Sequence, residues 1–237
     1  MSLIYINPYT FAAPTSGIIT DGLQLYLDAG NASSYTSPGL TWFDLSGNAR
    51  HGVLTPTVGG PGFDSANGGS ITFDGSNDYV LCTGSISVTG TSLATFIVWM
   101  NRGGADQYDG LLFSRGTAPA CGMHYQNAAN LAYTWNNEAN TYNWGSGLTI
   151  PQAWCMCVIT VTSTVATAYI YQAGNSITSA TNTVSHGNAT LDSVRVGYDI
   201  ATRYYQGKIA QALIYNRALS QAELTTNYNV DKARYGL

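Results

Sequence analysis

The sequence predicts an all-β fold, an antiparallel two-sheet β-sandwich that ends in one short C-terminal helix. Short apolar stretches recur along the chain and are separated by turns rich in Gly, Asn and Pro. Two of these stretches, residues 95–100 and 207–215, are apolar on both faces, which is typical of strands inside a sheet. A single strong helix start follows, because Ser220 and Glu223 have the spacing of a capping box.

The elements can be assigned in chain order. Pro8 and Pro14 argue against regular structure at the beginning, so residues 1–20 are predicted to be an N-terminal arm for docking and assembly, and residues 21–237 a single domain. Turn-forming residues dominate 29–70. Strands are predicted at 23–27, 70–73, 79–82, 95–100, 111–114, 131–135, 155–162, 165–171, 193–196 and 207–215, with a hairpin turn at Ser163 and Thr164.

The last strand and the helix behind it are the most specific local signal. The strand is expected to alternate between one face with Ile209, Gln211, Leu213 and Tyr215 and the other with Ala210, Ala212 and Ile214. In the helix start, Ser220 is the N-cap, Glu223 closes the capping box, and Leu219 with Leu224 forms the hydrophobic staple.

The composition excludes several classes of function. Only 9% of residues are charged and the formal net charge is −4, so no basic patch is available for nucleic acid. No apolar run approaches the length of a membrane span. A surface built from Ser, Thr, Asn, Gln and Tyr instead suits neutral hydroxyl-rich ligands or close packing in an assembly.

The cysteines and the first residues bear on the compartment. Four cysteines without a regular spacing favour buried free thiols over disulfides, which fits a reducing cytoplasm. Residues 1–7 lack the basic and apolar parts of a signal peptide. Sequons at Asn31 and Asn188 therefore carry little weight.

Several segments together resemble a known family. They are GLQLYLDAGN at 22–31, WFDLSGNARHG at 42–52, FDSANGGSITFDGSNDYV at 63–80, TFIVWM at 95–100, TVATAYIYQAG at 164–174 and GKIAQALIYNRALSQAEL at 207–224. The chain is similar to the concanavalin A-like lectin/glucanase superfamily, in its laminin G-like jelly-roll branch, and most of all to modules of bacteriophage and viral structural proteins. The resemblance implies two large facing antiparallel sheets.

One departure from the family pattern concerns the last strand. Relatives commonly carry charged residues on its outward face, whereas this chain has the neutral run Ala210, Gln211, Ala212 and Leu213. Either the outer face is covered by the arm or by a neighbouring subunit, or an ordinary surface has drifted to small neutral residues.

Glycoside-cleaving relatives carry an E-x-D-x-x-E type strand, because this chemistry needs two carboxyl groups. No such triplet is present: Glu138 has no acidic neighbour, and Glu223 is assigned to the helix cap. His124 lies three residues from Cys121, an arrangement better explained as a turn contact than as a catalytic pair. The sequence therefore predicts a protein that is not an enzyme and that requires no cofactor.

A structural calcium ion is the candidate metal. Asp44, Asp74 and Asp78 lie in turns that resemble those where relatives hold calcium with oxygen ligands. The alternative is that these side chains hydrogen-bond their own turns, as Asx turns do.

The best candidate glycan site is the segment 133–144, which is rich in aromatic residues and asparagine. Aromatic rings stack on sugar faces, while amides and carboxylates bind hydroxyl groups. The candidate residues are Trp135, Asn137, Glu138, Tyr142 and Trp144. The competing interpretation places these aromatic side chains in the core.

Taken together, these features lead us to expect a lectin-like virion structural protein, either a capsid-decorating or a tail-fibre component assembled in the host cytoplasm. Its expected partners are other virion proteins or copies of itself, with a cell-surface glycan as a further candidate, and neither nucleic acid nor a membrane. The alternatives are a free-standing carbohydrate-binding lectin and, less favoured, a glycoside hydrolase.

Overall fold

The computed structural model describes residues 17–104, 106–127 and 129–237. Most of the predicted arm, residues 1–16, lies outside the described residues. The described strands are β1 (Leu23–Asp28), β2 (Thr41–Trp42), β3 (Gly52–Thr55), β4 (Gly62–Asp64), β5 (Ser70–Asp74), β6 (Tyr79–Cys82), β7 (Ser85–Val88), β8 (Ser92–Arg102), β9 (Gly110–Ser114), β10 (Cys121–Gln126), β11 (Asn130–Thr134), β12 (Cys155–Thr162), β13 (Ala166–Gln172), β14 (Ser176–Asn182), β15 (Ala189–Asp192), β16 (Val194–Val196) and β17 (Gln206–Tyr215). The α-helices are α1 (Ala139–Tyr142) and α2 (Gln221–Asp231).

The strands form two large antiparallel sheets. Sheet A has the order β14-β13-β12-β8-β17-β5-β4, with β1 also paired to β17. Sheet B has the order β11-β10-β9-β16-β6-β3-β2. Strands β7 and β15 pair separately as a short ribbon. The predicted all-β sandwich with one short C-terminal helix is confirmed.

The main core lies between the two sheets. Sheet A contributes side chains such as Phe96 and Ile214, and sheet B contributes Leu112, Met123 and Tyr133, all of them buried. The four cysteines are free and buried as predicted. Among the described residues, the helices are all too short or too polar to cross a membrane.

The outer face of sheet A is also buried, because the end of the chain folds over it. Trp99 on β8 lies between Tyr228 of α2 and Tyr235, at ring-centroid distances of 5.6 and 4.5 Å. Ile18 and Ile19 pack against the same cluster. The neutral outer face of β17 is therefore covered by the C-terminal helix of the same chain.

Strand β17 departs from the alternation that the sequence suggests. A bulge between Ile209 and Gln211 shifts its register against β8. As a result Ile209 packs in the core with Ala212 and Ile214, while Ala210 faces the C-terminal helix. The assignment of Ile209 and Ala210 to the faces was wrong, because an extra residue in a strand reverses the side-chain pattern that follows it.

Helix α2 begins as the sequence indicates. The Glu223 amide donates to Ser220 Oγ at 3.4 Å, and the Ser220 amide donates to Glu223 Oε2 at 2.8 Å. Both halves of the capping box are thus present. Arg217 adds two donors to the Glu223 carboxylate.

Candidate functional site

In the part of the chain that the structure describes, no long helix covers the outer face of sheet B as α2 covers that of sheet A. Cross-strand partners lie on the same side of a sheet, so the register defines a row of side chains across it. From β3 to β11 this row is Val53, Leu81, Arg195, Phe113, Gly122 and Thr134. Val53 and Leu81 are more than one third exposed. The row joins an apolar end at β3 to a polar end at β11.

A cavity of about 350 Å³ lies at the polar end of this row. Strands β10 and β11 provide its floor through His124 and Thr134, and the loops around them provide its walls. The full lining is Tyr108, Arg115, His124, Thr134, Asn137, Tyr142, Asp199 and Arg203.

A buried aspartate organises the arginines of the cavity. Asp199 is 2% exposed. Arg115 donates to it through Nε and Nη2, and Arg203 donates through Nη1 at 2.8 Å. Arg195 donates to the Asp199 carbonyl oxygen at 2.6 Å. Three guanidinium groups are therefore held around one residue.

The floor of the cavity is uncharged. Burial lowers the pKa of His124, so the ring is neutral at pH 7. Its Nδ1 lies 2.7 Å from the Tyr125 carbonyl oxygen, which can only accept, so Nδ1 carries the proton. Thr134 Oγ1 then donates to His124 Nε2 at 3.0 Å. The Thr134 oxygen keeps its lone pairs for a further donor.

Aromatic rings stand beside the charged groups. The Arg203 guanidinium lies 4.7 Å from the centre of the Tyr108 ring. Next to the cavity, Tyr198 and Tyr204 stack with centroids 4.3 Å apart, and Tyr79 lies 5.0 Å from Tyr198. All four of these tyrosines are half-buried, so each ring keeps an accessible portion.

The structure divides the five candidate glycan residues among three environments. Asn137 and Tyr142 line the cavity. Trp135 is 1% exposed in the core, and its Nε1 donates to the Gly187 carbonyl oxygen at 2.8 Å. Trp144 packs edge-on against the Tyr133 ring. Glu138 borders a separate hollow with Asn136 and Asn188.

The residues that give the cavity its charge are not among those predicted from the sequence. Arg115, Asp199 and Arg203 lie in loops up to 88 positions apart and meet only because β9 pairs with β16. The available signal was compositional and applied to Arg203 alone: in a chain with 9% charged residues, an arginine followed directly by two tyrosines merits attention.

The candidate calcium residues are engaged by their own turns. Asp44 Oδ1 accepts from the Tyr26 and Ser46 amides, and its Oδ2 accepts from the Arg50 amide. Asp74 Oδ1 accepts from the Ser76 and Asn77 amides. Asp78 Oδ2 accepts from the Asp74 amide. Among the described residues, His, Cys, Asp and Glu form no group of three or more placed to hold a metal ion, and the hydrogen bonds from Ser46 and Ser76 are those of the Asx-turn alternative.

The Laminin_G_3 family model, described as the concanavalin A-like lectin/glucanases superfamily, matches residues 74–225. This match covers more than half of the chain. The chain belongs to this superfamily. A search of curated protein sequences finds no match.

Solved structures with the same fold include parts of carbohydrate-active proteins. Domain 4 of an extracellular arabinanase from Geobacillus stearothermophilus, in complex with arabinotriose, aligns with a TM-score of 0.60 and 14% identity over 88% of this chain and 98% of that domain. Trypanosoma rangeli sialidase in complex with sialic acid aligns with a TM-score of 0.59 and 15% identity over 90% of this chain. The aligned region spans 33% of the sialidase chain.

A third structure is a binding domain. That of Paraclostridial Mosquitocidal Protein 1 aligns with a TM-score of 0.58 and 16% identity, over 90% of this chain and 53% of that one. At these identities the likeness shows the fold alone.

The expected virion structural role was wrong. The three structural neighbours described above belong to an arabinanase, a sialidase and the binding domain of Paraclostridial Mosquitocidal Protein 1, and nothing among them supports a virion structural role. The resemblance to viral modules rested on the short segments LYLDAGN, DLSGN and SANGGS, whereas the family match extends only to the superfamily.

Proposed function

We propose that this chain is a carbohydrate-binding domain that holds a sugar in the cavity on the outer face of sheet B. The observation that carries the proposal is the lining of that cavity, where the tyrosine rings of Tyr108 and Tyr142 stand beside the amide of Asn137 and the hydroxyl of Thr134. Rings of this kind pack on the C–H faces of sugars, and the polar groups bind hydroxyls.

The size of the cavity fits a short stretch of glycan. Ligand pockets usually measure about 300 to 1,000 Å³, and this one, at about 350 Å³, is near the lower limit. The domain would therefore bind a chain end or one residue of a longer chain. The arabinanase domain in complex with arabinotriose supports this proposal by fold, because a domain with this fold forms a complex with an oligosaccharide.

The proposed function is binding without catalysis. Glycoside cleavage needs two carboxyl groups across the scissile bond. Asp199 is committed to Arg115 and Arg203, and Glu138 borders the separate hollow. Cys121 is a poor nucleophile, since burial raises the pKa of its thiol to about 12.

The test is a glycan array followed by calorimetric titration with the best ligand. Tyr142→Ala and Tyr108→Ala should each weaken binding by about tenfold, because stacking contacts contribute about 1 kcal/mol or more. Tyr169→Ala, a half-buried tyrosine on the outer face of sheet A, is the matched control. A correctly folded protein that binds no glycan, or whose binding survives both cavity substitutions, would contradict the proposal.

A further inference from the structure

The arginines of the cavity have more donors than the protein uses. Arg115 spends Nε and Nη2 on Asp199, and Arg203 spends Nη1 on the same carboxylate. A guanidinium carries five N–H groups. Three nitrogen atoms of these two arginines have no hydrogen-bond acceptor among the described residues. They are Nη1 of Arg115, and Nε and Nη2 of Arg203. These donors belong to side chains that line the cavity.

The charges of the side chains that line the cavity do not cancel. Outside the lining, burial raises the pKa of Asp109, and the Arg203 charge partly offsets this rise. Its lining holds two arginines and one aspartate, and His124 is neutral, so the lining carries a formal charge of +1. Arg195 adds a third guanidinium close by, through its bond to the Asp199 carbonyl oxygen. The remaining charge is unusual in a chain with a formal net charge of −4. The Asp199 carboxylate needs only one such partner for a bidentate pair.

The arginines are also held ready for a ligand. The Asp199 carboxylate holds the Arg115 guanidinium through two hydrogen bonds, and the Tyr108 ring packs against the Arg203 guanidinium. The two side chains are 27% and 37% exposed, so each is anchored at one edge and open at another. Guanidinium groups fixed in this way bind planar carboxylates through paired hydrogen bonds.

We propose that the ligand of this cavity is an acidic sugar, with a ring carboxylate bound by Arg115 and Arg203. This inference rests on the proposed carbohydrate-binding function and adds the chemical class of the ligand. The carboxylate would take the free N–H groups, while Tyr142, Thr134 and Asn137 contact the rest of the sugar. Uronic acids and sialic acids share this chemistry.

The experiment compares acidic sugars with their uncharged counterparts on the intact protein. Trigalacturonate is titrated beside its methyl ester, and sialyllactose beside lactose, with a sulfated oligosaccharide as a further arm. We expect one of the two carboxylate ligands to bind about tenfold or more tightly than its neutral partner, since hydrogen bonds to charged groups are the stronger ones. The pair that responds identifies the source as a uronic or a sialic acid. Raising the NaCl concentration should weaken the acidic ligand only.

Two variants test whether the preference for the acidic sugar comes from the arginines of the cavity. Arg203→Gln should remove most of the preference for the acid over its neutral partner. Lys232→Gln removes the same charge on the opposite side of the sandwich, where Lys232 lies over Tyr228, and should leave the preference unchanged. A thermal melt of each variant checks that it is folded, and the comparison of acid with ester needs no variant at all.

The outcomes separate the two proposals. If neither pair shows a preference, so that trigalacturonate binds no better than its methyl ester and sialyllactose no better than lactose, the acidic ligand is overturned, while good affinity for these sugars leaves carbohydrate binding intact. Binding of the sulfated oligosaccharide alone would also overturn it. Failure of every glycan, acidic or neutral, would overturn both.

Discussion

Arg115 donates two hydrogen bonds to Asp199, with Nε at 2.5 Å from Oδ1 and Nη2 at 3.2 Å from Oδ2. The carboxylate is almost fully buried, while the arginine stays partly exposed. A buried carboxylate needs charged partners, because its transfer from water without them is costly. The pair therefore stabilises the fold and at the same time fixes an arginine at the mouth of a cavity.

Asp199→Asn should destabilise the protein. The substitution keeps the shape of the side chain but removes the charge that Arg115 and Arg203 share, and we expect a loss of about 2 kcal/mol in the free energy of unfolding. Urea denaturation at neutral pH measures it.

Asp21→Asn provides the matched control for that loss. Asp21 pairs with Arg217 but is 85% exposed, so its loss should cost no more than about 0.5 kcal/mol. Equal losses in the two variants would contradict the role assigned to Asp199.

Trp135→Phe should leave glycan binding unchanged. Trp135 is buried and its Nε1 is bonded to Gly187, so the ring faces the core and not the cavity. The lost hydrogen bond and the smaller ring should lower stability by about 1 to 2 kcal/mol. Calorimetric titration of the folded variant is the measurement. A clear loss of affinity would show that Trp135 contributes to the site after all.

Asp78→Asn should stabilise the protein at neutral pH. Burial first, and the nearby Asp74 charge second, raise the pKa of Asp78 from 3.8 to about 6. Its Oδ1 is buried without a partner in the described structure. Asparagine would keep the bond from the Asp74 amide through its own oxygen, without the buried charge.

The stabilisation expected from Asp78→Asn should depend on pH, because it comes from removing a buried charge. The folded state binds the Asp78 proton more tightly than the unfolded state, so this group makes the protein less stable as the pH rises from about 4 through about 6. The Asn variant should gain about 1 kcal/mol at pH 7 and nothing at pH 4. Melting temperatures across this range are the measurement, and a gain that persists at pH 4 would exclude the buried charge as the cause.

Glu223→Gln should weaken the start of the C-terminal helix. The Arg217 fork, followed by the Ser220 amide, holds the pKa of Glu223 at about 2. Because the folded pKa is depressed, the contribution is present above about pH 4.5 and is lost as the pH falls toward 2. The cost should be about 1 kcal/mol at pH 7 and smaller at pH 3.

Glu138→Gln is the control for the Glu223 variant. Glu138 is an exposed glutamate, and its side chain makes no capping hydrogen bond to the helix that it precedes. Its stability should match that of the wild type at both pH values. A pH-independent loss in Glu223→Gln would mean that the ionised carboxylate is not what supports the helix.

The sequence predicted the elements whose signals are local. The hairpin of β12 and β13 follows from two apolar runs around Ser163 and Thr164, and the helix start follows from four residues between positions 219 and 224. Strand β14 has no such signal, since most of its residues are exposed and polar, and only its pairing with β13 makes it a strand. Long-range pairing decides these segments.

The residues of the cavity could likewise be predicted from the sequence only where their signal is local. Asn137 and Tyr142 lie in one aromatic-rich segment, so the sequence could name them. The segment also contains Trp135, whose alternation with Tyr133 places it in the core, and the sequence did not reveal which face of β11 points inward. Arg115 and Asp199 are 84 positions apart, and their contact depends on the register of β9 against β16.

Ile19 and Leu237 pack in the same cluster, on the side of sheet A that α2 covers. The cavity lies on the far side of the other sheet. A segment joined after Leu237 would therefore start on the side of the molecule away from the cavity, and the face proposed to bind sugar would stay open. A partner fused there could grow in size without blocking access to the glycan.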